Sequence, residues 1–127
     1  MTEGPTDRPA PVGRFSHVIV DCADPERLAA FWSAALGVGV RGRWHQYVAL
    51  EPVAPGAPSV CFQQVPEPKA AKNRVHLDLA VTDLEASGAR VAALGASKLQ
   101  SVVQDGQEFD VYTDPEGNEF CLVLESE

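Results

Sequence analysis

The chain has 127 residues, 45% of them apolar and 22% charged, proportions that suit one packed domain and exclude general disorder, collagen-like repeats or a disulfide-held miniature. Lys and Arg total 10 against 18 Asp and Glu, a formal net charge of −8. That field repels a phosphate backbone or an anionic lipid surface, so neither nucleic acid nor a membrane is an expected partner.

Residues 1–13 read MTEGPTDRPAPVG, rich in proline and without the apolar run of a signal peptide, and are expected to form a flexible leader. No stretch approaches the roughly 18 apolar residues of a membrane-spanning helix, which points to a cytoplasmic protein. Cys22, Cys61 and Cys121 are odd in number and widely spaced, so buried free thiols are expected rather than a redox pair.

The chain carries one pattern twice. HVIVDCADPERLAAFWSAALG starts at His17 and HLDLAVTDLEASGARVAALG at His76; in each copy an Asp, Asp24 or Asp83, stands seven positions after the His and a helical stretch ends in Ala-Leu-Gly. In the first helix Asp24 is the N-cap, Pro25 takes the first helical position, and Leu28, Phe31, Trp32, Ala35 and Leu36 share a face. In the second, Thr82 and Glu85 have the spacing of a capping box, and Leu84, Val91 and Leu94 supply the apolar stripe. Gly37 and Gly95 are the expected stops.

Strand-like segments follow each helix: 38–41, 44–50 and 59–65, then 98–103, 109–113 and 119–124. Each half is therefore β-α-β-β-β. The expected organisation is a leader (1–13) and one α+β domain (14–125), with module one at 14–65, a connection at 66–73 and module two at 74–125. A Gly-Arg turn is expected near residue 42, and Asp114-Pro115-Glu116-Gly117 is strong turn chemistry before the last strand.

Alternation along each strand fixes which residues share a face. Val18 and Val20 face the helix, as do Leu77, Leu79, Phe120 and Leu122, which sends His17, His76, Glu119 and Cys121 to the other side with Gln63. Two curved sheets related by a pseudo-twofold axis then form a mixed-sheet cup with these polar residues at its base. Two imidazoles with a carboxylate and an amide suit a divalent transition metal better than calcium. Asp21 and Asp78 are placed to line the cup, and Trp44 and Tyr47 are better candidates for its wall than Trp32, which lies on a helix stripe.

The His17 strand with DPERLAAFWSAALG, the FQQVPEPK and KNRVHLDLAVTDLE segments, and DPEGNEFCL together resemble the vicinal oxygen chelate superfamily, in its glyoxalase-like and bleomycin-resistance-like group, from Arg14 to Leu124. The resemblance implies paired β-α-β-β-β modules, a homodimer, a small-molecule ligand and a site for one divalent metal (Ni, Zn, Fe, Co or Mn). By resemblance its ligands fall on His17, on Gln63 with Gln64 as the neighbouring register, and on His76. The last-strand carboxylate position holds Cys121 instead, and Glu119 lies two residues earlier, about 6.6–6.8 Å along the strand.

Three functions stay open. The leading one is a metal-free or weakly metallated cup that sequesters an antibiotic or metabolite, with Phe15, Trp44, Tyr47, Asp78 and Cys121 as ligand contacts. The alternative is a metal-dependent lyase or isomerase for a substrate with adjacent oxygens, dioxygenase chemistry being a minor variant. There His17, Gln63 and His76 hold the ion, Glu119 or Cys121 is the fourth ligand, and Glu119 acts as general base if it is not a ligand. The third is a partner-binding protein with a vestigial cup. Whether the protein is an enzyme is left undecided by the sequence.

Overall fold

The computed structural model describes residues 8–125, and in it the β-α-β-β-β order is made twice. Module one contains β1 (His17–Cys22), α1 (Pro25–Leu36), β2 (Val40–Trp44), β3 (Tyr47–Leu50) and β4 (Ser59–Gln64). Module two contains β5 (Leu77–Val81), α2 (Leu84–Ala93), β6 (Ser97–Gln104), β7 (Gln107–Thr113) and β8 (Glu119–Leu124). The strands form two curved four-stranded mixed sheets, ordered β1-β4-β3-β2 and β5-β8-β7-β6; β1–β4 and β5–β8 are parallel and the other pairs antiparallel. Residues 1–7 of the expected leader lie outside the described residues, and 8–16 form no helix or strand. Among the described residues no helix is long and apolar enough to cross a membrane.

Local chemistry accounts for the helix ends. The Asp24 side chain accepts from the Arg27 N–H at 3.2 Å, Pro25 opens α1, and Gly37 closes it at φ +71° with its N–H donating to the Ser33 carbonyl at 2.9 Å. In α2 the cap is Asp83, which accepts from the Ala86 N–H at 2.9 Å. The expected Thr82–Glu85 capping box is therefore corrected: an Asp one residue nearer the helix supplies the acceptor first. Leu94, expected in the apolar stripe, sits at the C-cap and is exposed. Gly88 is buried where α2 meets β7, and a Cβ there would overlap the Tyr112 hydroxyl, so this helix can approach its sheet only without a side chain.

The expected turn near Gly42 is also corrected. β2 continues to Trp44, and the reversal falls at His45–Gln46, with His45 at φ +52°. Gly42 is a strand residue over which the Trp44 indole is folded: a Cβ at 42 would lie 2.5 Å from the ring. The β6–β7 hairpin turns at Asp105–Gly106, both with positive φ, as a two-residue reversal between right-twisted strands requires.

One core joins the two modules. α1 buries Leu28, Ala29, Phe31 and Trp32, a wide arc that reaches beyond its own sheet. The Phe31 and Trp32 rings meet Phe120 of β8 edge-on, at 5.9 and 5.0 Å between centroids. Asp114, 4% exposed, accepts from Trp32 Nε1 at 3.0 Å and from the Glu116 and Asn118 N–H groups at 2.9 and 3.0 Å. This turn places the Glu116 carboxylate on the Ala23 and Asp24 N–H groups at 2.9 and 2.8 Å, at the positive end of α1. A turn of module two thus caps and anchors the helix of module one.

Candidate functional site

The strand registers define the sheet faces turned away from the helices. In module one Ile19 stands opposite Cys61 and Asp21 opposite Gln63; Tyr47 follows on β3 opposite Gln63, and Trp44 on β2 opposite Tyr47. In module two Asp78 stands opposite Cys121, and His76 lies two residues before Asp78, just ahead of β5. The repeat is therefore legible at the level of ladders. Ile19 faces Cys61 in module one as Asp78 faces Cys121 in module two, and a histidine, His17 or His76, stands two residues before each.

The two faces differ in chemistry. On module one the Trp44 and Tyr47 rings lie 5.9 Å apart and tilted by 53°, with the Arg41 guanidinium 6.0 Å from the indole centroid. Trp44 is 51% exposed, whereas Trp32 is 3% exposed in the core. Burial and a hydrogen bond with Cys61 push the Tyr47 phenol up to about 12. Phe15, expected at the ligand wall, precedes β1 and is 72% exposed.

On module two the donor atoms of His76, Asp78 and Cys121 all lie within 4.8 Å of one another, and His76 Nε2 is 3.3 Å from Asp78 Oδ1. Burial, and then the Asp78 charge, hold the Cys121 thiol above its ordinary range. All three cysteines are free and buried; burial pushes the Cys22 thiol up to about 12, with Glu116 and Asp24 adding to it.

The other expected ligands lie outside this cluster. His17 Nδ1 is 2.9 Å from Ser16 Oγ. Gln63 is exposed beside Asp21 and Tyr47. The Glu119 carboxylate accepts from the Asn73 N–H at 3.1 Å and lies 3.5 Å from Lys69 Nζ, while Asn73 Oδ1 accepts from the Glu119 N–H at 2.8 Å. Burial raises the Glu119 pKa, but the backbone hydrogen bonds and Lys69 outweigh it and leave the carboxyl below its usual range. Glu119 thus ties the 66–73 connection to β8. Asp78, expected only as cup lining, is the carboxylate that stands with His76 and Cys121; the signal available in the sequence is its place two residues after His76 in an alternating strand.

Two cavities adjoin the β1 end of the module-one face, where Asp21 lines both and Ile19 the second. One of about 630 Å³ sits beneath the connection, between Asp21, Val65, Lys69, Asn73 and Glu116. Another of about 390 Å³, mostly apolar, lies between β1 and the β5–β8 edge, lined by Val18, Val20, Trp32, Leu77 and Phe120. Neither is lined by Trp44, Tyr47, His76 or Cys121.

Residues 17–123 match the family model of the glyoxalase-like domain, and the chain belongs to that family. A comparison with curated protein sequences found no match. Among solved structures it is similar to a glyoxalase/bleomycin resistance protein/dioxygenase family enzyme from Burkholderia phytofirmans PsJN, at 17% identity and a TM-score of 0.75, over 88% of this chain and 98% of the other. It is similar to a lactoylglutathione lyase from Agrobacterium tumefaciens at 15% identity and a TM-score of 0.64, over 91% and 96% of the two chains. It is also similar to a mutant of the fosfomycin resistance protein FosX from Listeria monocytogenes, complexed with Mn(II) and a dihydroxypropylphosphonic acid, at 13% identity and a TM-score of 0.73, over 88% and 90%. At these identities the likeness is one of fold.

Proposed function

We propose that the protein captures a small organic ligand, an antibiotic or a metabolite, against the concave faces of its sheets, with Trp44 and Tyr47 as the recognition wall. The observation that carries this reading is the exposed indole laid over Gly42 beside a tilted tyrosine ring, an apolar platform with no core function. Gln63 stands next to Tyr47, with Asp21 on its other side, and the two supply polar contacts that orient a ligand. The open faces need a second sheet to enclose a ligand. Among the described residues β1 and β5 each end a sheet with one edge unpaired, which supports a homodimer as the working assembly.

The two tryptophans provide the test. Fosfomycin, a bleomycin and a set of planar aromatic antibiotics are titrated while emission is followed. A ligand on the wall quenches Trp44 and leaves the buried Trp32 emission, so quenching disappears in Trp44→Phe and persists in Trp32→Phe. A ligand whose affinity is unchanged in both Trp44→Ala and Tyr47→Ala refutes this wall as its site.

A second reading, metal-dependent chemistry on a substrate with adjacent oxygens, is favoured by the His76, Asp78 and Cys121 donors. Of the ligand set implied by family resemblance, His76 and Cys121 belong to this cluster, while Glu119 is held by Asn73 and Lys69. No reaction step is therefore derived through that set.

A further inference from the structure

We propose that the groove between α2 and the outer strands of module two, on the helix side of the sheet, binds the guanidinium group of a small organic cation. The groove is separate from the Trp44 wall, and the inference does not depend on ligand capture there. It is a cavity of about 380 Å³ whose walls include Glu85 and Gly88 of α2, Ser101 of β6, and Asp110 and Tyr112 of β7, a size that suits a small molecule.

The internal repeat shows what this groove lacks. Val48 of β3 stands between Phe62 and Arg43 on its ladders, and Asp110 of β7 stands between Leu122 and Ser101. Phe62 pairs with Val20 and Leu122 with Leu79, each three residues after the histidine of its module, so Val48 and Arg43 match Asp110 and Ser101. Glu26 and Glu85 match as well, each two residues after its helix cap. In module one the Arg43 guanidinium reaches Glu26 at 2.7 Å, so the chain's own cation bridges helix and strand beside a buried valine. In module two the arginine is a serine and the valine a carboxylate, and Glu85 has no ion-pair partner among the described residues.

Two buried polar groups line the same space. Asp110 is 6% exposed, and its one cationic neighbour among the described residues is Lys98 Nζ at 3.5 Å, longer than the roughly 2.7–2.9 Å of a close charge-assisted hydrogen bond. Tyr112 is 5% exposed; its hydroxyl lies against Gly88 and makes no hydrogen bond among the described residues. Such groups cost stability when they are buried without full partners. The fold does not require them, since the matching strand of module one buries Val48 and Leu50 instead. Glu85, Glu108 and Asp110 face the groove against Lys98 alone, so its field selects a cation. A guanidinium, with its fork of N–H donors, serves the Asp110 carboxylate and the Tyr112 hydroxyl together.

The test uses the full chain labelled with ¹⁵N and titrated with n-butylguanidinium or with its neutral isostere N-butylurea, amide shifts being followed by NMR. The expected result is a saturable one-site shift centred on Gly88, Ser101 and Asp110 with the cation and none with the urea. Ser101→Arg, on an exposed position, supplies the module-one guanidinium from the chain itself and abolishes binding. Asp110→Asn weakens binding by about tenfold or more, and Glu67→Gln, in the cavity beneath the connection, leaves it unchanged. Circular dichroism checks folding, and if Asp110→Asn does not fold, Ser101→Arg decides alone. Shifts that do not saturate, equal shifts with N-butylurea, or binding that survives Ser101→Arg overturns the proposal. The probes carry no aromatic ring, so these outcomes do not depend on the recognition wall.

Discussion

Asp114→Ala tests how the two modules are held together. The buried carboxylate accepts the Trp32 indole N–H and two backbone N–H groups of the turn. Removing it strands the indole donor, a loss of about 1–3 kcal/mol for a buried unsatisfied group. The loosened turn also withdraws Glu116 from the N-terminus of α1, which by analogy with a lost cap adds about 1 kcal/mol. The expected total is about 2–4 kcal/mol out of the roughly 5–15 kcal/mol available to a domain. For a chain of this length that lowers Tm by about 10 °C. Urea unfolding followed by circular dichroism gives the loss directly. The mechanism requires coupling: in a Trp32→Phe background, where the donor is already gone, Asp114→Ala costs about 1–2 kcal/mol less. A loss under about 0.5 kcal/mol, or an equal loss in both backgrounds, refutes the reasoning.

Other outcomes follow from the same geometry. Gly88→Ala gains helix propensity yet drives a methyl group into the Tyr112 hydroxyl, so it destabilises by about 1–3 kcal/mol; Tyr112→Phe in the same chain restores most of the loss, and failure of that rescue by urea titration assigns the cost elsewhere. Glu119 has a folded pKa below its ordinary 4.5, so its contribution to stability is complete above that pH and is lost as pH falls through the folded value. Glu119→Gln therefore flattens the acid limb of the stability–pH curve, and an unchanged limb contradicts the Asn73–Lys69 anchor. The buried thiols, raised at Cys22 and Cys121, react slowly with a thiol reagent at pH 8 in the native protein and promptly in urea; rapid native labelling of Cys22 contradicts its burial.

Much of the fold is legible because it is written in short-range signals. The His-to-Asp spacing, the Asp24 cap, Gly37 and the Asp114 turn each act within a few residues. The misread features need partners distant in sequence or one local choice among two. Gly42 looks like a turn glycine until the Trp44 ring is seen folded over it, while the actual reversal at His45 carries no glycine at all. Thr82 has the spacing of a capping box, but Asp83 reaches the free N–H first. At the candidate site, alternation alone puts Asp78 beside His76, whereas its position opposite Cys121 depends on the β5–β8 register. Glu119 reads as a free carboxylate because its partners, Asn73 and Lys69, lie in the connection about which strand periodicity says nothing.

The turn that caps α1 from the other half of the chain makes the halves mutually dependent. Expressed alone, residues 14–65 would present Phe31 and Trp32 to water and leave the Ala23 and Asp24 amides without Glu116, while residues 74–125 would expose Phe120. Each fragment should therefore be unstable in isolation, yet the contacts between them are non-covalent. A chain cut within the 66–73 connection should reassemble from its two pieces, as fragment complementation would report, with the helix of one piece serving as the missing core of the other.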